Sequence, residues 1–209
     1  LELVCRFARM GWLNWHDVAP TSPIRMGRGP LGMRVSLASG AAFDLVEQGS
    51  KKNAAVSLVH DRSEVAAVAA LGPDALSITA EDLAAGLAGS TSRIKTVIED
   101  QRLIAGIGNA YSDEILHTAK LSPFATAKTV DADTLLEAIR AVLTAARHSL
   151  SGLPPGKVKA AKKRGFSVHG RTGKSCPVCG TTIAEVSFAE RSLQYCPHCQ
   201  TGGKKLSDR

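Results

Sequence analysis

Nothing in this chain of 209 residues offers a membrane span, because no run of about eighteen consecutive apolar residues occurs. The opening residues, LELVCRFARMGW, carry interspersed arginines and lack a small-residue cleavage site, so a secretory signal peptide is not expected. A soluble, cytoplasmic protein is the expectation. Acid is missing from a long stretch: from Ala138 to Ala184 there is not one Asp or Glu. A disulfide framework is not indicated either, since four of the five cysteines fall in two CxxC pairs near the C-terminus. The fifth, Cys5, stands in an apolar, strand-like run and reads as a small buried hydrophobe. The first residue is Leu1 rather than Met.

What is present is ordinary globular material, 44% hydrophobic and 22% charged, enough for one large domain or two small ones. The formal net charge of +7 is concentrated where acid is absent, with Lys157, Lys159, Lys162, Lys163, Arg164 and Arg171 close together. Such a block repels itself unless an anion lies beside it. Nucleic acid is the natural partner, because each cation set on a phosphate releases a counterion. The competing reading is a solvated basic loop without a partner.

Residues 1–60 read as β structure, with Val-, Leu- and Phe-rich runs on either side of a Pro/Gly-rich connection and a turn at Ser39-Gly40. So few strands need a packing partner, and an open sheet edge is expected. Residues 61–155 read as helical. Asp61 to Leu71 forms a short helix stopped by Gly72-Pro73, and Thr79 with Asp82 makes an approximate capping box. RIKTVIEDQRLIA is helical, and AYSDEILHTAK restarts a helix after Gly106-Ile107-Gly108-Asn109. Asp131 opens a long helix with Leu135, Ile139, Val142, Leu143, Ala146 and Leu150 on one stripe. Residues 156–174 read as a basic loop, 175–203 as a separate small module and 204–209 as a tail.

Cys176-Pro-Val-Cys179 and Cys196-Pro-His-Cys199 are separated by sixteen residues, which fits a paired-CxxC zinc pattern. Each CxxC turn aims two thiolates at one point, and two turns complete a tetrahedron. Four thiolates close the coordination sphere, so one structural Zn2+ is expected, and it supplies the folding energy of a module with almost no core. The residues between the pairs suit a β-hairpin turning near Ala189 to Ser192. A redox dithiol is the lesser alternative. His198 reads as a bystander between ligands and His169 as an exposed side chain. Asn109 has two readings of equal weight. It caps the helix that follows, or its glycine-flanked helix N-terminus receives a phosphate.

Taken together, IKTVIEDQRLIAGIGNAYSDEILHTAKLSP, HGRTGKSCPVCG and AERSLQYCPHCQ resemble the formamidopyrimidine-DNA glycosylase / endonuclease VIII family of base-excision repair enzymes. The first run looks like its helix–two-turn–helix motif and the other two like its C-terminal zinc finger. The resemblance implies an α+β fold: a partial β-sandwich remnant, a helical helix–two-turn–helix domain and a β-hairpin zinc finger. It implies that Asn109 contacts a phosphate near the lesion and that Arg191, at the hairpin tip, clamps flanking phosphates. It further implies that Lys95 makes a backbone contact and that residues 157–170 cover an everted base. Lys157, Lys159 and Arg171 join the DNA-binding set.

The family's nucleophile is an N-terminal proline followed by glutamate at the start of a helix. Leu1-Glu2 echoes that pair, but the residues after it match a strand inside the family's first domain, so no catalytic residue is assigned. The family's Pro-Arg-Arg-Phe-Gly-like run has FDLVEQGSKKNAAV in its place, and Arg9 stands near its Met wedge. The expected partner is double-stranded DNA, damaged or abasic, bound by a monomer. Two functions follow: a glycosylase with AP-lyase activity, or a damaged-DNA-binding module that does not cleave. A zinc-ribbon protein for RNA or another protein is the third.

Overall fold

The computed structural model describes residues 1–7, 11–23, 29–48, 52–188 and 191–207, with the backbone alone at Arg191. The chain divides into two compact units, one of residues 1–70 with 152–159, the other of residues 71–151 with 160–209.

The first unit is β structure, as its Val/Leu/Phe pattern requires. Strands β1 (Glu2–Arg6) and β5 (Ala55–Val59) pair antiparallel, while β2 (Gly11–His16), β4 (Ala42–Glu47) and β3 (Leu31–Ser36) form a three-stranded sheet in that order. The β3–β4 hairpin turns at the expected place. Gly40 takes φ +85, a conformation that side chains with a Cβ resist, and donates to Leu37 O at 3.0 Å. β5 lies within the span read as β structure; its AVSLV follows a polar stretch and is exposed over much of its length.

The central strand β4 carries two buried acids with dedicated partners. Asp44 receives Arg34 Nε at 2.6 Å, Arg34 Nη2 at 2.9 Å and lies 3.0 Å from His16 Nε2. Glu47 accepts the backbone N–H groups of Asn53 and Ala54 at 2.9–3.0 Å. Buried carboxylates survive only with such partners. Cys5, expected buried, is half-buried.

The second unit holds the main core. After the short α1 (Ala66–Ala69) of the first unit come α2 (Ala80–Ala88), α3 (Ile94–Ile98), α4 (Asn109–Thr118) and α5 (Ala132–Leu150). Thr79 caps α2 through Asp82 N, and Asp131 caps α5 through Thr134 N, as the sequence suggested. Leu83, Leu87, Ile94, Ile98, Ile115, Leu135 and Ile139 are essentially sealed from solvent. Each such side chain contributes roughly 1.5–3 kcal/mol of hydrophobic burial. The stripe of α5 is buried through Ile139 and only partly beyond it, at Val142 and Leu143.

Two expectations need correction. RIKTVIEDQRLIA is helical only over Ile94–Ile98, and turns take over from Glu99. The segment read as a basic loop carries a ten-residue helix, α6 (Pro155–Arg164). Leu153-Pro-Pro-Gly reads as a stop for α5, yet Pro155 in the first helical position is also a start signal, followed by the helix formers Lys and Ala.

The cysteine-rich end is a β-hairpin followed by a short helix. Strands β6 (Ala184–Phe188) and β7 (Arg191–Tyr195) and helix α7 (Pro197–Thr201) belong to the same compact unit as the helices. Val186, Leu193 and Tyr195 pack with Phe124 and Leu206, and Gln200 donates to Leu121 O at 2.9 Å. The expected turn at Ala189-Glu190 lies outside the described residues, as does Arg9.

Candidate zinc and nucleic-acid site

The turn ahead of α4 is built by Gln101. Its side chain accepts from Gly106 N at 2.9 Å and donates to Ile107 O at 2.6 Å, bridging a chain reversal in which Gly106 takes φ +102. Helix α4 then starts with Gly108 as its N-cap, and no side chain caps it. The capping reading of Asn109 is therefore wrong. Its Nδ2 reaches across 83 positions of sequence to donate to Ser192 O in β7 at 3.2 Å. The backbone N–H groups of Asn109, Ala110 and Tyr111 precede the first i−4 bond of the helix, which runs from Ser112 N to Gly108 O.

Beside this helix end lies a cleft of about 220 Å3 whose lining includes Arg93, Lys95, Asn109, Phe124, Phe188 and Ser192. The Arg93 guanidinium sits 3.8 Å from the Phe124 ring centroid. Lys95 is buried at 8% exposure, and its ammonium donates to Ser112 Oγ at 2.6 Å, Asp113 Oδ1 at 2.7 Å and Asn109 O at 3.1 Å, with Glu99 Oε1 at 3.0 Å. The sequence pointed to Lys95 as a backbone contact; the structure places it beneath the first turn of α4, holding that turn in position.

Three polar residues at helical spacing join α4 to the finger. Asp113 accepts from His169 Nδ1 at 2.7 Å, so His169 is paired rather than simply exposed. Glu114, 6% exposed, accepts the backbone N–H groups of Ser167, Val168 and His169 at 2.8–2.9 Å. His117 Nε2 lies 3.3 Å from Cys176 Sγ. None of the three was singled out from the sequence. The available signal was charge and imidazole on the inward face of an amphipathic helix, where a buried polar group demands a partner.

The paired CxxC turns converge as expected. A backbone bond from Gly180 N to Cys176 O closes the first knuckle at 2.9 Å. Cys196 caps α7, and its sulfur accepts from Cys199 N at 3.5 Å. Cys179 and Cys196 Sγ stand 3.4 Å apart, close to the S···S edge of about 3.8 Å that a tetrahedron with Zn–S bonds near 2.3 Å requires. Cys176, Cys196 and Cys199 offer their sulfurs within 4.8 Å of one another and of a His117 nitrogen. His198, exposed, clusters with Cys179 and Cys199.

Hydrogen bonds from Thr181 hold the Cys179 thiol down at about 6, whereas burial pushes the Cys196 and Cys199 thiols up. Crowded, desolvated thiols of this kind reach a common ionised state when a cation supplies the balancing charge. The donor set fits one structural zinc ion.

The remaining candidates are dispersed. Lys157 and Lys159 lie on α6 in the first unit, with Lys159 Nζ 5.2 Å from the Trp12 ring centroid. Arg171 is half-buried, donates from Nη2 to Ser175 O at 3.2 Å and leaves a buried Nε without a partner. Arg191 opens β7, and its side chain lies outside the described residues. Leu1 is 82% exposed, and Glu2 pairs with Arg62 at 2.9 Å within a strand rather than at a helix start.

Comparison with known proteins places these features together. The formamidopyrimidine-DNA glycosylase H2TH domain matches residues 71–152, and the zinc finger found in FPG and IleRS matches residues 173–202. A formamidopyrimidine-DNA glycosylase-like protein of Mycobacterium tuberculosis is 59% identical over 143 residues, covering 67% of this chain and 90% of that protein. The formamidopyrimidine-DNA glycosylase of Listeria innocua is 33% identical over 151 residues, 68% of this chain and 55% of the relative. The chain thus spans about half the length of several curated glycosylases it matches. MutM (Fpg) from Thermus thermophilus superposes with a TM-score of 0.71 at 28% identity, covering 95% of this chain and 75% of that one. Lactococcus lactis Fpg, solved with DNA containing an abasic site, gives 0.75 at 21% identity over 95% of this chain and 74% of its own, which speaks to the fold. No helix among the described residues is long and apolar enough to cross a membrane.

Proposed function

The chain belongs to the formamidopyrimidine-DNA glycosylase / endonuclease VIII family, and from that premise we propose that it binds damaged or abasic double-stranded DNA as a base-excision repair protein. The observation that carries this reading is the bond from Asn109 Nδ2 to Ser192 O. It ties the open N-terminus of α4 to the zinc hairpin strand that begins at Arg191, so two phosphate-binding elements are held at one place by one zinc-folded module. A phosphate at the helix end receives the free N–H groups of the first turn and the positive end of the dipole. The Asn109 side chain adds a donor, and Arg191 adds a planar fork suited to a second phosphate.

Lys95 acts from below in this scheme. Its salt bridges to Asp113 and Glu99 fix the turn from which Asn109 projects, and those two carboxylates balance its charge. Lys157, Lys159 and Arg171 supply further positive charge, the source of non-specific affinity for a polyanion. Phosphate clamps of this kind hold a kinked strand while a base is out of the stack. The protein acts as a monomer on this reading.

The family's relatives by name are glycosylases, so strand chemistry is the further question. Incubation of the purified chain with an abasic-site duplex and borohydride separates the two readings. A retarded complex that is not covalently trapped is the result expected for a damaged-DNA-binding module. A trapped adduct abolished by acetylating the N-terminal amine would assign AP-lyase chemistry to Leu1. Absence of any complex at low salt would overturn the DNA-binding proposal itself.

A further inference from the structure

We propose that His117 is a positioning residue of the zinc site, its imidazole Nε2–H donating to the Cys176 thiolate from helix α4 and so slowing loss of the metal. Cys176 and Cys196 are the two most buried of the four sulfurs, and His117 reaches the former at 3.3 Å from the last turn of α4. The imidazole is itself only 5% exposed. A buried ring N–H without an acceptor is costly, and a zinc-bound thiolate is a far stronger acceptor than a neutral thiol.

A zinc ion with four thiolates carries a formal charge of −2. Its Cys176 side is buried, so a donor aimed at that sulfur withdraws density from it and makes it harder to protonate. This is the role that outer partners of metal ligands commonly fill, typically at 10–100-fold in affinity. The arrangement also explains why α4 bears a histidine at an inward-facing position otherwise suited to an apolar side chain. Asp113 and Glu114 lie four and three residues before His117, and each of the three reaches a different part of the finger or of the segment leading into it: β7 and His169, the backbone at 167–169, and the metal ligand. His117 is the member of that row which links the helix directly to the metal. The proposal rests on the cysteine cluster alone and stands independently of DNA binding.

The test uses the full chain loaded with zinc, cobalt or 113Cd. In His117→Phe, zinc transfer to a chelator should be about tenfold faster, and the sulfur-to-cobalt charge-transfer band should move while keeping four-thiolate intensity. His117→Gln, which retains an N–H donor, should stay within about threefold of the unaltered chain. Transfer from His117→Phe within twofold of that chain, or equal losses in both variants, would overturn the proposal. A three-thiolate cobalt spectrum in the unaltered chain would also overturn it, because His117 would then be a ligand rather than a donor. Should His117→Phe fail to fold, proton NMR of the 113Cd-loaded unaltered chain decides. Coupling between cadmium and the His117 ring proton through the hydrogen bond is expected, and its absence refutes the assignment.

Discussion

Replacing Glu114 by alanine removes the acceptor for three successive backbone amides, Ser167, Val168 and His169. The Val168 bond is buried, and the other two are partly open to water. An unsatisfied buried donor costs about 1–3 kcal/mol, and bonds to a charged acceptor lie at the upper end. Counting the buried amide near 2 kcal/mol and the two wetter ones near 1 each gives a loss of roughly 4 kcal/mol. For a chain of this size that corresponds to a fall in Tm of roughly 8–16 °C, at about 2–4 °C per kcal/mol. Glu114→Gln keeps one acceptor oxygen but turns an NH2 toward a facing N–H, so its loss should be intermediate. Calorimetry reads the Tm, and amide exchange reads the three residues directly, with protection at 167–169 lost before the rest of the finger. An alanine variant within about 0.5 kcal/mol of the unaltered chain, the range of surface substitutions, would refute the assignment of Glu114 as the anchor of this segment.

Cys196→Ser, or removal of zinc by a chelator, should unfold the finger and weaken DNA binding; circular dichroism and a gel shift on one sample check both, and unchanged affinity would separate the finger from binding. Arg191→Ala should lower affinity for lesion-containing and plain duplex alike and reduce the slope of log K against log salt by about one; an unchanged slope would remove Arg191 from the phosphate contacts. The first unit should lose stability in acid through Asp44, whose carboxyl the Arg34 hydrogen bond holds below the ordinary range. A depressed native pKa contributes stability that is complete above the unfolded value of about 3.9 and disappears as pH falls through the lower native value. Asp44→Asn should flatten that part of the stability–pH curve, and an unaltered curve would contradict the linkage.

The zinc site was legible because its chemistry needs two short, local turns whose spacing is visible in the residues themselves. The caps at Thr79 and Asp131 were legible for the same reason, since a capping bond spans only a few residues. What was hidden depends on distant partners. Asn109 left two readings of equal weight, one of them a cap because asparagine favours that position; only the approach of β7 turns its amide toward Ser192, 83 positions away. His169 looked exposed because nothing local to it supplies a partner, and its partner Asp113 lies 56 positions earlier. Glu114 and His117 sit on a helix face whose burial depends on what packs there. Helix α6 was hidden because residues 157–174 hold three glycines and no clear period; Gly165, Gly170 and Gly173 all lie beyond Arg164, where the helix ends.

The most direct measurement is fluorescence anisotropy of an abasic-site duplex titrated at several salt concentrations with the zinc-loaded chain and with Asn109→Ala. The account predicts salt-dependent binding by the former and about a tenfold loss in the latter, one charge-assisted contact being worth about 1.5 kcal/mol, with folding and zinc content unchanged. Equal affinities at every salt concentration would contradict the claim that the α4 end beside the zinc hairpin is where DNA is held.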